Sequence, residues 1–188
     1  MLETERLVVL PVGLEHAPLQ LAYYQRNQAH LAPWEPTWPH DFLTAGYWQA
    51  AARRAVDDAR ADAVHRFVAL ERGDPSTMIA SINLSNIVRG VFAAAYLGYS
   101  VDGERQGMGL GTEAVGAVVD FAFAELRLHR IMANYQPANE RSARLLRRLG
   151  FVVEGFARDY LYIGGAWRDH ILTAKSNPDG QCVPERTR

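Results

Sequence analysis

Three glycines in five positions, Gly107, Gly109 and Gly111, separate the stretch AAAYLGYSV (93–101) from a run whose apolar residues share one helical stripe: Val115, Val118, Val119, Ala122 and Leu126. This junction constrains the fold more than any other part of the chain. A stripe at that spacing belongs to a helix packed one-sidedly on a sheet, and the stretch before it reads as a strand of that sheet. Glycine inside a helix costs roughly 1 kcal/mol against alanine, so three of them at a helix mouth need a reason. Strand, glycine-rich turn and helix N-terminus together can hold a phosphate. Unpaired N–H groups point outward, the helix dipole adds roughly half a positive charge, and glycine leaves the backbone bare. A close-packed turn is the other explanation, and both stay open here. A Walker A loop is excluded because no lysine follows, and the single alternation of glycines departs from Gly-x-Gly-x-x-Gly.

The flanking segments read as α+β. RLVVLPV (6–12) is a first strand. Residues 46–63 form a helix with Trp48, Ala52, Ala55, Val56 and Ala59 at helical spacing. Between them, helical pattern mixes with HLAPWEPTWPHD (30–41), whose three prolines forbid a continuous helix. HRFVALER (65–72), a GDPS turn (73–76) and TMIASINLS (77–85) make a hairpin. HRIMANY (129–135) is a further strand, and PANERSARLLRRLGF (137–151) is a short helix with Asn139 as N-cap and Gly150 as its stop. DYLYIGGAWRDHILTA (159–174) closes the chain as a hairpin on a Gly-Gly turn. No repeat or low-complexity linker divides it, so residues 1–177 are expected to form a single domain, with 178–188 a polar tail.

Composition narrows the function by exclusion. With 188 residues, 48% hydrophobic and 22% charged, the chain has the profile of a globular domain with one sizeable core. A net charge of −1 argues against a general nucleic-acid binder. The single cysteine, Cys182, leaves no internal disulfide and no cysteine zinc site, and no H-E-x-x-H pattern replaces it. The N-terminus lacks a basic segment followed by an apolar run, and no stretch approaches the ~18 apolar residues of a membrane span. The expectation is a cytoplasmic protein with no metal and no membrane association.

QGMGLGTEA (106–114) resembles the Q/R-x-x-G-x-G/A motif of the GCN5-related N-acetyltransferase (GNAT) superfamily, and NERSARLLRRLGF (139–151) resembles its N-x-x-A/S…G-F helix. TERLVVL, LAPWEP, SNIVRG, YLGYS, HRIMANY and the last hairpin look like the RimJ group within it, so the resemblance covers about residues 4–174. It implies a central, mixed, mostly antiparallel sheet flanked by helices, whose middle strands splay, with acetyl-coenzyme A as co-substrate. The loop from Arg105 through Gln106, Gly107, Met108, Gly109, Leu110, Gly111 and Thr112 would hold the pyrophosphate. Asn134, Asn139 and Ser142 would meet the pantetheine arm, with Arg144 near the phosphates as well. The acetyl group would lie against Tyr99, Ser100 and Val101, where a backbone N–H polarises its carbonyl.

Proton transfer is the harder assignment. Many relatives carry a tyrosine four positions beyond the serine of N-x-x-S; here that position is Leu146, so the resemblance makes Ser142 the general acid. A capping role in the first helical turn is its other reading. Glu35 either orients the substrate amine or is simply a solvated loop residue. Asn83, Asn86, Asp159 and Tyr160 are candidates for holding a water, and His129 and His170 read as structural. The RimJ group acts on the N-terminal alanine of a ribosomal small-subunit protein, which makes a protein N-terminus the expected partner. A small-molecule amine or antibiotic acceptor, and a non-catalytic module binding coenzyme A or the ribosome, are the alternatives.

Overall fold

The described residues, 1–179 of a computed structural model, begin with β1 (Leu2–Glu3) and β2 (Leu7–Pro11), followed by α1 (Ala17–Leu31) and α2 (Ala45–Arg60). Next come β3 (His65–Glu71), β4 (Asp74–Val88), β5 (Ala94–Val101), α3 (Leu110–Ala124) and β6 (Arg130–Tyr135). The chain then forms α4 (Glu140–Arg148), β7 (Val152–Ile163) and β8 (Ala166–Ser176). Cys182 lies outside the described residues. The strands form one sheet in the order β1-β2-β3-β4-β5-β6-β8-β7, antiparallel except for the β5–β6 pair.

Period-two alternation gives the sheet a core on each face. Leu7, Val9, Phe67 and Ala69 pack under α3, while Val68, Leu70 and Met78 face α1 and α2. Each of the larger side chains among these, removed from water, is worth roughly 1.5–3 kcal/mol. On the second face Tyr24 stacks on Trp48 (4.7 Å between centroids) and Trp38 on Phe42 (4.5 Å), which anchors the proline-rich segment that no helix could cross.

Two boundaries differ from expectation. The first hairpin turns at Arg72 and Gly73, pairing Glu71 with Asp74, so Asp74 and Pro75 already belong to β4. β7 begins at Val152, seven residues early, as an edge strand with Val152, Val153 and Phe156 exposed. Its outward apolar residues mask the alternation that marks a half-buried strand. The helical pattern ahead of the prolines is α1, which buries Gln20 and Asn27 along with Ala17, Tyr23 and Leu31, polar residues that blur its apolar stripe.

Candidate active site

The site begins where two parallel strands part. β5 and β6 pair only at Ala94↔Arg130, Ala95↔Ile131 and Tyr96↔Met132, although β5 continues to Val101 and β6 to Tyr135. Asp102 N–H donates to the Ile79 carbonyl at 2.9 Å. Counting back by twos, the even residues of β5 spend their backbone groups on β4, and Leu97, Tyr99 and Val101 aim theirs into the gap. Ser100, by contrast, points its side chain at α1, where its hydroxyl accepts from Tyr23 at 3.0 Å. A cavity of about 1020 Å³ passes through this gap, with Gly109 and Thr112 at one end, Tyr99, Ser142 and Asn83 midway, and Glu35 at the other.

At the first end the glycines divide the two explanations left open by the sequence. Gly107 (φ +78°) and Gly109 (φ +83°) hold left-handed backbone, and Gly109 is the residue that caps α3. Gly111 is a packing glycine, since a Cβ there would stand 2.8 Å from Val101 Cγ2 and 3.3 Å from Leu145 Cδ1. The first N–H groups of α3, on Leu110, Gly111 and Thr112, have no partner within the helix. Leu110 buries its side chain in the core and Met108 is half exposed, so neither side chain lines the cavity.

The loop is braced from three directions. Arg6 donates to the Met108 carbonyl (2.9 Å) and to Glu113 Oε2 (2.8 Å), and the Thr4 hydroxyl also donates to Glu113 (2.6 Å). Burial alone would raise the Glu113 carboxyl, but these donors hold it below its ordinary value, so it stays a carboxylate whose charge is paired with the Arg6 guanidinium at 2.7 Å. From α1, Asn27 Oδ1 accepts the Gly103 N–H at 2.9 Å. Gln106 lies between His30 (2.7 Å) and Arg141, which donates to Gln106 Oε1. Arg105 reaches Glu71 at 3.6 Å and Arg144 reaches Glu140 at 2.9 Å; both also line the cavity. Bare glycine backbone, free helix N–H groups and these arginines suit a pyrophosphate. The unpaired edge of β5 suits the amide-bearing arm of coenzyme A, which pairs as an added strand would.

Midway, Asn139 caps α4 by accepting the Ser142 N–H at 3.1 Å, worth about 1 kcal/mol. The cap aims Ser142 back at β5, where its Oγ lies 2.7 Å from the Tyr99 hydroxyl. Burial pushes the Tyr99 hydroxyl up to about 12, although the Ser142 hydrogen bond acts the other way. Tyr99 is therefore half of a hydroxyl pair rather than only an alternating strand aromatic. Leu146 is fully buried in the core. The partnership is the feature that sequence reasoning missed, because residues 43 apart meet only once α4 is laid across the splayed strand.

At the far end, Trp34, Glu35 and Trp38 line the cavity. Glu35 is partly buried, not a solvated loop residue; burial raises its carboxyl, and the Trp38 indole N–H, donating at 2.8 Å, lowers it in part. Asn83 lies against Gly98, and Asn134 donates to the Tyr160 hydroxyl at 3.1 Å and accepts from the Thr173 N–H. Asn86 and Asp159 do not line the cavity; they hold left-handed backbone at irregularities of β4 and β7. Tyr162 stands outside it too, packed edge-on against Trp167. His170, read as structural, does line it.

Residues 6–152 match the acetyltransferase (GNAT) domain family. The chain belongs to the GNAT family. It is 43% identical over 178 residues to the [ribosomal protein uS5]-alanine N-acetyltransferase of Escherichia coli, covering 95% of this chain and 91% of the relative. The crystal structure of ribosomal-protein-S5-alanine acetyltransferase from Vibrio fischeri superposes with a TM-score of 0.90 at 42% identity, over 95% of this chain and 97% of that one. RimJ of Mycobacterium smegmatis, solved with coenzyme A disulfide, gives 0.86 at 30% identity over 92% and 83%. As a GNAT protein the chain is an acetyltransferase that uses acetyl-coenzyme A. Among the described residues, no group of three or more His, Cys, Asp or Glu is placed to hold a metal ion, and no helix is long and apolar enough to cross a membrane.

Proposed function

We propose that this GNAT protein transfers the acetyl group of acetyl-coenzyme A to the α-amino group of an N-terminal alanine on a ribosomal small-subunit protein, in the cytoplasm. Residues 1–177 would act as one catalytic domain. The observation that carries the reading is the through-passage: one cavity joins the phosphate loop on the α3 face to an aromatic mouth with a carboxylate on the α1 face. The likeness to enzymes named for alanine acetylation on a ribosomal protein supports the choice of acceptor.

The geometry supports the following chemistry. A backbone N–H of Tyr99 or Val101 polarises the thioester carbonyl, the kind of fixed donor that stabilises a developing oxyanion. Holding amine and thioester from opposite sides of the sheet supplies orientation, often the larger share of such a barrier. Glu35 attracts the protonated α-amine, Trp34 and Trp38 flank a small first side chain, and Ser142 with Tyr99 protonates the departing thiolate.

A panel of peptides beginning with Ala, Ser or Met, beside free lysine side chains and polyamines, tests this. The Ala-initiated peptide should exceed a lysine side chain at least ~10-fold in kcat/KM, which needs only about 1.4 kcal/mol from a shaped pocket. Equal rates on lysine or polyamines would overturn the N-terminal assignment.

A further inference from the structure

The acceptor side needs a proton sink, and the structure holds an unused one. An α-amine has an ordinary pKa near 8, so at neutral pH it arrives mostly as an ammonium without a lone pair to attack. We propose that His170 Nε2 takes that proton. This rests on the acceptor entering from the α1 face, as argued above.

His170 is 3% exposed, yet it lines the cavity. Its Nδ1 lies 2.9 Å from the Arg168 carbonyl. A carbonyl only accepts, so Nδ1 carries the hydrogen, and in the neutral ring Nε2 carries the lone pair. A backbone carbonyl orients this imidazole as a base.

Placement gives the base its partner. Residues paired across a sheet share a face, and side chains alternate along each strand. β8 pairs Leu172 with Asn134 and Ile171 with Tyr135, the last residue of β6. His170 therefore shares the face of Leu172 and Asn134, one position beyond the end of β6. Tyr99 and Tyr135 pack on the opposite face, under α3, and Ser142 meets Tyr99 there. A proton acceptor and a proton donor thus stand on the two sides of the gap in which the thioester fits.

The step balances as follows. His170 Nε2 takes one proton from the ammonium, freeing the nitrogen lone pair to form the C–N bond at the thioester carbonyl. Collapse of the tetrahedral adduct breaks the C–S bond, and the thiolate takes a proton from the Ser142–Tyr99 pair. The second proton lost by the amide nitrogen restores that pair, through bound water or the bulk, and His170 releases its own to solvent. The net change is one amide formed, one thiol released and one proton liberated.

Several titratable or charged groups surround this imidazole. Tyr160 of β7 packs against it at 5.4 Å between centroids, its hydroxyl engaged by Asn134. Tyr24 and Glu35, on α1 and the loop after it, line the same cavity. Arg168 turns its guanidinium to the Ile163 carbonyl, and Asp169 accepts the Asp159 N–H. Glu35 serves to attract the ammonium, which leaves the proton itself to the neutral imidazole.

The test compares wild type with His170→Asn, whose amide can keep the donation to Arg168 while losing Nε2, and with His170→Ala assayed with and without added imidazole. With an Ala-initiated peptide at pH 7, kcat should fall about 10²-fold in both variants, with calorimetric affinity for acetyl-coenzyme A unchanged. The kcat of the variants should keep climbing with pH as the peptide amine deprotonates by itself, and imidazole should restore part of the His170→Ala activity. A His170→Asn kcat close to that of wild type, or a loss equal at every pH and unmoved by imidazole, would overturn the proposal. Failure of the wild type on the peptide would instead overturn the acceptor assignment, so the two readings fail separately.

Discussion

The Tyr99 hydroxyl and Ser142 Oγ, 2.7 Å apart, tie the splayed end of β5 to the first turn of α4. A serine hydroxyl is a weak acid on its own, and a second hydroxyl in hydrogen-bond contact stabilises the oxygen left behind as its proton moves to sulfur. Ser142→Ala should lower kcat by roughly 10²-fold, the low end of acid–base contributions, with acetyl-coenzyme A affinity near wild type because the donation serves the transition state. Tyr99→Phe should cost less. The double variant should fall short of the product of the two losses, because the hydroxyls act as a unit. Independent, multiplicative losses in single-turnover assays would mean two separate roles.

Gly109 and Gly111 should fail differently. Gly111→Val drives a side chain into Val101 and Leu145, an overpacking worth about 1–3 kcal/mol, and Tm should drop by several degrees. Gly109→Ala, at φ +83°, strains a left-handed position at about 1–3 kcal/mol and brings a methyl to 3.3 Å from the Arg6 guanidinium that braces the loop. Its main signature should be a raised KM for acetyl-coenzyme A. Thermal melts and calorimetry on the pair separate packing from binding.

Glu35 should link stability and pH in an unusual direction. Burial raises its carboxyl above the unfolded value, so the folded state prefers the protonated form. The stability it contributes is present below the unfolded pKa and is lost as pH rises through the folded one. Glu35→Gln should therefore raise Tm at pH 7–8 and leave it unchanged in acid, while kcat/KM for peptide falls. Scanning calorimetry at the two pH values checks the sign.

Asp102 titrates the opposite way. Burial would raise its carboxyl, but hydrogen bonds from Arg26 (2.6 Å), the Glu104 N–H and Asn27 hold it below the ordinary value. Its stability is present above the unfolded pKa and is lost as pH falls through the depressed folded one. Arg26→Ala leaves that buried carboxylate without its cation, a change that costs about 3 kcal/mol. Denaturant midpoints should show the loss at pH 7 and a smaller one near pH 4, where protonation relieves the orphaned charge. Because Asn27 and Asp102 also hold Gly103 and Glu104 at the head of the glycine loop, KM for acetyl-coenzyme A should rise in the same variant.

Local patterns carried much of this protein. The strand–glycine–helix junction, the Asn139 cap and the Gly164–Gly165 turn depend on one residue's backbone preference or one side chain's reach, so they are legible in order along the chain. The resemblance of two motifs to the GNAT family likewise pointed to the glycine loop and to Ser142. Helix α1 was legible only as helical pattern without bounds, because the polar Gln20 and Asn27 on its inward face blur the apolar stripe.

Tertiary structure alone decided the pairs. Tyr99 meets Ser142, Arg6 meets Met108 and Glu113, His30 meets Gln106, and His170 enters the cavity, each across a separation that no periodicity spans. Gly111 shows the division within a single residue. Its presence beside Gly109 was plain in the sequence, but whether it served a ligand or a neighbouring strand depended on how close Val101 and Leu145 come. That distance is set by how α3 and α4 settle on the splayed sheet, and packing of that kind is a property of surfaces brought together, not of neighbours along the chain.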